Sequence, residues 1–279
     1  MKASERIRSD FIRMMGRPEA EFDLVHAALL VAAESHPQLD VQGELRRIDA
    51  WAEELQQRVQ PSFNNLQKLA RLRAFAFEHL GLRGDARDYY SPSNSLLNEV
   101  MSRRRGIPLT LGILFLELGW RIGMPIEGVG FPGHFLVRLT GEEEDLIIDP
   151  YRRGMMVHEE DRRRMLDELS GGRLEYDDAL LAPATKHDMI ARLLRNLKAA
   201  YLREDDDANA LLAVERLLLL MPGDPDETRD RGLLHYRMHR FGLALDDLSE
   251  YLRRRAEAPD REQIEAHVVT LRRLVASLN

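Results

Sequence analysis

The spacing of apolar residues divides the chain into a helical opening third, a mixed middle and a helical end. Over residues 19–35 apolar side chains recur at a helical period through Phe22, Val25, Ala28, Leu29, Ala32 and Ala33, which predicts a buried helix. Residues 41–59 place Leu45, Ile48, Trp51, Ala52 and Leu55 on one face among charged neighbours, so an amphipathic helix is expected there. A third helix is expected over about 62–79, stopping at Gly81, a residue suited to a helix C-cap. Loop-rich stretches follow at 81–85 and 89–93. Ser93 or Asn94 can cap a short helix through Leu96, Leu97 and Val100. Arg105-Gly106-Ile107-Pro108 breaks that helix, and Pro108 suits the first turn of the next one. This next helix runs through Leu111, Leu114, Phe115 and Leu118 to Ile122. It is apolar nearly all round, which places it at the centre of a core.

Strand-like runs follow at 126–131, 134–139 and 146–148. The polar stretch 140–145 joins the last two as a hairpin. After Tyr151 the pattern is charged and helical to Leu169. Gly171-Gly172 breaks it, and Pro183 marks a domain boundary, giving expected domains at 1–183 and 184–279. From Asp188 onward only helix signals remain. There the pattern repeats: Ala210 and Ala244 stand 34 positions apart, as do Val214 and Leu248, and Leu218 and Leu252. That period is the length of a tetratricopeptide unit, two antiparallel helices with small residues at the crossing. Gly232 and Ala244 are small where such a crossing needs them, and a closing helix is expected over 261–278. Such a module binds proteins or peptides, or packs against its own first domain; the sequence leaves both open.

Composition narrows the function classes. The chain has 279 residues, 44% hydrophobic and 31% charged, enough to bury a real core. A formal net charge of -7 gives no general reason to bind nucleic acid or an anionic membrane. The run Arg103-Arg104-Arg105 reads as a solvated helix end, and Asp205-Asp206-Asp207 as a solvated loop. No signal peptide or membrane span is expected, and the absence of cysteine fits a reducing compartment, so the expected location is the cytoplasm. The histidines are scattered, with no metal-ligand spacing, and no glycine-rich nucleotide fingerprint is present; neither a metal nor a cofactor is expected.

The candidate chemistry lies in the middle. A helix start after Gly106-Ile107-Pro108, a strand histidine in Gly130-Phe131-Pro132-Gly133-His134-Phe135 and an acid at Asp149-Pro150 form the layout of a papain-like triad. In that layout the helix start carries the nucleophile, the histidine is the base and the acid orients it. The segments Tyr90-Ser-Pro-Ser-Asn-Ser-Leu-Leu-Asn98, Arg104-Arg-Gly-Ile-Pro-Leu-Thr-Leu111, Gly128-Val-Gly-Phe-Pro-Gly-His-Phe135 and Ile148-Asp-Pro-Tyr151 resemble the SirB-type transglutaminase-like family. Those bacterial proteins carry a transglutaminase-like core followed by tetratricopeptide repeats. The resemblance implies an α+β fold: a papain-like, transglutaminase-like core, a helical N-terminal region and a C-terminal all-α tetratricopeptide-like module. It implies no defined activity. It also implies that His134 and Asp149 occupy the positions of the catalytic histidine and acid, and that the cysteine would fall at 108–110.

No cysteine occurs anywhere in the sequence. Pro108 cannot act, and Thr110 offers a hydroxyl that needs a strong base. The expected function is therefore a non-catalytic protein-binding or regulatory protein with a protein or peptide partner. The alternative is a cysteine-independent hydrolase or acyltransferase using Thr110 with His134 and Asp149. His134 reads equally as a buried histidine held by Asp149 or a carbonyl. Asn94, Ser95 and Asn98 are capping residues or pocket lining. Phe131, Gly133, Pro108, Asn94 and Asn98 are the expected pocket residues.

Overall fold

Three short polar side chains decide where the first long helices begin. The computed structural model describes residues 3–141 and 144–278. A helix that the apolar pattern does not announce, α1 (Ala3–Met15), opens the chain and buries Phe11 and Met14. Asp23 accepts a hydrogen bond from the His26 N–H at 2.8 Å, so α2 spans Leu24–Ser35. The expected start at residue 19 is a separate short 3-10 turn, Glu19–Glu21. Asp40 caps α3 (Val41–Gln56) through the Gly43 N–H. Asn64 and Gln67 exchange side-chain and backbone hydrogen bonds to start α4 (Asn65–Arg73). A π-helical turn, Ala74–His79, continues it to Gly81, whose φ of 72° is the left-handed C-terminal conformation.

Two short strands, β1 (Arg83–Gly84) and β2 (Arg105–Gly106), pair in parallel on either side of α5 (Leu97–Arg103). Leu96, without a side-chain cap, precedes α5; Asn94 is not its cap. Helix α6 (Pro108–Arg121) is buried along most of its length, as its uniform apolarity demands. It packs against α2, α3, α4 and the strands that follow. A methyl group at Gly112 would collide with the Phe135 ring, so α6 lies against the chain next to His134 only because that position lacks a side chain.

The main sheet is an antiparallel meander of β3 (Ile126–Val129), β4 (Leu136–Leu139), β5 (Leu146–Asp149) and β6 (Met155–Met156). Val137 pairs with Ile148 and Asp149 with Met155. The expected hairpin is thus the β4–β5 pair; its turn includes Glu142 and Glu143, which lie outside the described residues. β4 starts two residues later than expected. Gly133 adopts φ 66° and the His134 N–H closes a turn onto the Phe131 carbonyl, so His134 sits on a turn rather than in the strand. One face of the sheet packs Val129, Phe131, Leu136 and Ile147 against Leu166 of α7 (Glu159–Ser170).

The chain forms two compact units, Met1–Leu193 and Leu194–Asn279. The division falls inside α8 (Lys186–Arg203), later than the expected boundary at Pro183. The second unit continues with α9 (Asp207–Leu220), α10 (Pro225–Arg237), α11 (Phe241–Arg254) and α12 (Arg261–Leu278), each packed on the next. Ala210 and Ala244 are fully buried at equivalent positions. A side chain at Gly232 would strike Leu248, so the close α10–α11 crossing depends on that glycine.

One charge run departs from its expected solvated state, and the other does so only in part, because the Asp205 side chain stays 86% exposed. Arg103 bonds Asp85 and Asn94, both at 3.2 Å, and Arg104 stacks 4.5 Å from the Trp51 ring centroid. Asp206 caps α9, while Asp205 and Asp207 both pair with Arg237. Among the described residues no helix is long and apolar enough to cross a membrane.

Candidate functional site

Antiparallel pairing of β4 and β5 brings the residues before β4 and the last residue of β5 to one end of the sheet. There His134 Nε2 lies 2.8 Å from Asp149 Oδ2. Asp149 is fully buried, and its other oxygen accepts the Tyr151 N–H at 2.9 Å and the Arg152 N–H at 3.2 Å. The carboxylate therefore shapes the turn after β5 and holds the imidazole at the same time. A neutral ring that donates through Nε2 offers Nδ1 as an acceptor. Among the described residues Nδ1 has no hydrogen-bond partner, and the side chain is 13% exposed.

Aromatic rings wall this place. Tyr151 stands edge-on to His134 at 5.9 Å, Tyr89 edge-on to Tyr151 at 6.1 Å, and Tyr90 against Tyr89 at 5.1 Å. The Tyr151 ring lies flush on Gly84, where any side chain would collide with it. Burial, reinforced by Tyr90, pushes the Tyr89 hydroxyl above the usual phenol range. Burial, then Tyr89, Asp85 and Asp149, raise Tyr151 likewise. Both hydroxyls stay protonated at neutral pH and can donate. Cavities of about 350, 390 and 590 Å³ open on this unit, and neither His134 nor Asp149 lines them.

Thr110 does not join the pair, which corrects the expectation that its hydroxyl could act with His134. It is fully buried, directs its hydroxyl at the Asn94 carbonyl (2.8 Å) and the Ile107 carbonyl (3.2 Å), and accepts the Ile107 N–H. No hydrogen bond joins it to His134 among the described residues. Its work is local: it closes the first turn of α6 onto the preceding loop.

The shape of this unit agrees with what is similar to it in sequence. A transglutaminase-like superfamily model matches residues 43–195, and a tetratricopeptide repeat model matches 197–268. A UPF0162 protein of Xylella fastidiosa (strain Temecula1) is 35% identical over 252 residues, covering 89% of each chain. The UPF0162 protein YchA of Escherichia coli K12 is 31% identical, covering 83% of this chain and 85% of its own. Protein SirB1 of Salmonella typhimurium is 29% identical over 91% of this chain and 97% of its own. This chain belongs to the SirB-type transglutaminase-like family.

The other residues expected of this SirB-type pocket have mixed fates. Asn94 is fully buried scaffolding: its amide donates to the Asp88 carbonyl and its oxygen accepts from Arg103. Pro108 is buried in the first turn of α6. Asn98 reaches Glu99 at 3.4 Å, and among the described residues its own buried oxygen has no partner. The Phe131 ring is in the core, and its carbonyl, not its ring, faces polar groups. Gly133 is exposed and supplies the bend before His134. Sequence reasoning missed Tyr89, Tyr151 and Arg192, whose guanidinium donates to the Phe131 carbonyl that also accepts the His134 N–H. Tyr151 follows the Asp149-Pro150 motif directly and could have been weighed with it. Arg192 carries no such signal, because it sits in an ordinary helical pattern.

Proposed function

We propose that this SirB-type protein is a non-catalytic protein-binding or regulatory protein of the cytoplasm, built on a transglutaminase-like domain that has lost its nucleophile. The observation that carries the reading is the His134–Asp149 hydrogen bond of 2.8 Å in a chain with no cysteine. His134 is read as a base and Asp149 as its orienting acid, while the Thr110 hydroxyl at the helix start is turned into the loop. Such a pair can hold and orient a ligand without attacking it. The second unit adds stacked helical hairpins, an architecture whose surfaces serve protein and peptide recognition. The cysteine-free composition suits a reducing compartment.

The test places a photo-crosslinking residue at the exposed Tyr90 of the full chain in living bacteria. One defined protein adduct is expected. It should be lost with His134→Ala, and weakened when the exposed apolar residues Leu243 and Val269 of the second unit become aspartate. Adducts indifferent to both changes would contradict the proposal.

A further inference from the structure

Arg192 is a half-buried guanidinium without an acid. Both of its terminal nitrogens donate to the Phe131 carbonyl at 3.3 Å. The same carbonyl accepts the His134 N–H at 3.0 Å. One oxygen thus ties the guanidinium to the turn that carries the histidine. Among the described residues no carboxylate lies within 4.0 Å of Arg192. Arg103, Arg121, Arg138 and Arg152 of the same unit each have a carboxylate within that distance. Burial pulls the Arg192 pKa down, and only the electrostatic influence of Tyr89 opposes this. A partly desolvated guanidinium without a counter-charge is costly, and with its two terminal nitrogens on the Phe131 carbonyl, the edge formed by Nε and one terminal nitrogen is left to match an anion with two coplanar oxygens.

From these contacts we infer that Arg192, Tyr89 and His134 form a binding site for a carboxylate-bearing ligand, with the carboxylate on Arg192. The inference rests on the proposal that this pocket binds rather than reacts. A single fork suits a monoanion. A dianionic phosphate would want a second cation, and the nearby Arg152 is already 3.7 Å from Asp149. The protonated Tyr89 hydroxyl is a further donor for the anion. His134 Nδ1 accepts an N–H from the same ligand, and the flat faces of Tyr89, Tyr90 and Tyr151 hold its body. A peptide supplies a carboxylate beside an N–H in two ways, at its C-terminus or on an acidic side chain.

The test is an NMR titration of the wild-type full chain, observing the His134 ring and the Arg192 side-chain N–H. The probes are N-acetylglycylglycine, its C-terminal amide, the α-amide of N-acetylglutamate, and inorganic phosphate. A saturable shift is expected from a carboxylate probe and none from the amide. The stronger of the two carboxylates identifies the source, a chain terminus or an acidic side chain. Arg192→Met should weaken binding by about tenfold or more, the loss of a charge-assisted pair, with Arg192→Lys intermediate. Thermal unfolding confirms that each variant is folded. Because the acid-against-amide contrast is read on the wild type, it survives a variant that does not fold. Equal shifts from acid and amide, no saturable shift from either carboxylate, or phosphate binding more tightly than both would overturn the inference. Crosslinking at Tyr90 that still requires His134 while the carboxylate probes fail would overturn this inference alone. Saturable carboxylate binding with crosslinking indifferent to His134 would overturn the partner proposal alone.

Discussion

Asp149 has three hydrogen bonds to answer for, and only one of them goes to His134. The other two satisfy the Tyr151 and Arg152 N–H groups in a buried turn. Replacing it by alanine strands both donors, so Asp149→Ala should cost about 2–4 kcal/mol in urea unfolding. Asp149→Asn, which keeps one acceptor, should cost less. A loss under about 0.5 kcal/mol for the alanine variant would show that the carboxylate does not hold the turn. Thr110 makes the complementary case. Thr110→Val should cost about 1–3 kcal/mol, because the Ile107 N–H and the Asn94 carbonyl lose a partner, while Thr110→Ser, which keeps the hydroxyl and loses one buried methyl, should cost less, about 0.8 kcal/mol. The sequence placed Thr110 beside the nucleophile position because spacing reports distance along the chain. It does not report side-chain direction. A hydroxyl three residues into a helix can turn back onto the residue before it, and here it does. His134 and Asp149 were legible because a strand order fixes which ends meet. Arg192 was not, because a loop carbonyl recruits it from far along the chain.

At the level of elements, strong periodicity was read correctly and short structure was not. Helices α2, α3 and α6 follow their apolar patterns, and the β4–β5 pair follows its alternation. Helix α1 buries only a narrow stripe among charges, and β6 is two exposed methionines with no pattern to see. The contact that sets α6 against the sheet is testable. Gly112→Ala drives a methyl group into Phe135 and should cost about 1–3 kcal/mol, read as a lower midpoint in thermal unfolding. An unchanged midpoint would mean that α6 sits farther from Phe135.

His235 of α10 supplies a pH dependence. It is buried, and burial pushes its pKa below the ordinary 6.5. The charges acting on it divide: Asp247 and Glu215 push upward, Arg240 and Arg231 downward. The unfolded chain therefore takes up a proton near pH 6.5 that the folded protein refuses. This group's effect on stability is constant above that pH. Stability falls as pH drops below it, toward the lowered folded value. Relative to the intrinsic rate, which itself slows toward acid, hydrogen exchange of α10 and α11 amides should accelerate from about pH 7 down to about pH 5. His235→Phe should remove that extra acceleration. An acceleration of the same size in the variant would assign it to other groups.

Over the whole molecule there are two units: a transglutaminase-like domain with a hydrogen-bonded His134–Asp149 pair and no thiol, and a stack of helical hairpins. The order of these parts was legible because a 34-residue period and a triad layout are long-range patterns. The division was harder to see. Pro183 looks like a boundary, but α8 begins at Lys186 and continues through the point where the units part. The His134–Asp149 pair is proposed to serve binding and not acyl transfer. The most direct measurement is incorporation of a labelled amine into a glutamine-containing peptide, together with hydrolysis of an activated ester, by the full chain and by His134→Ala. Neither protein is expected to incorporate amine, and both should hydrolyse the ester at the same rate. Turnover by the wild type that disappears with His134→Ala would contradict the binding role.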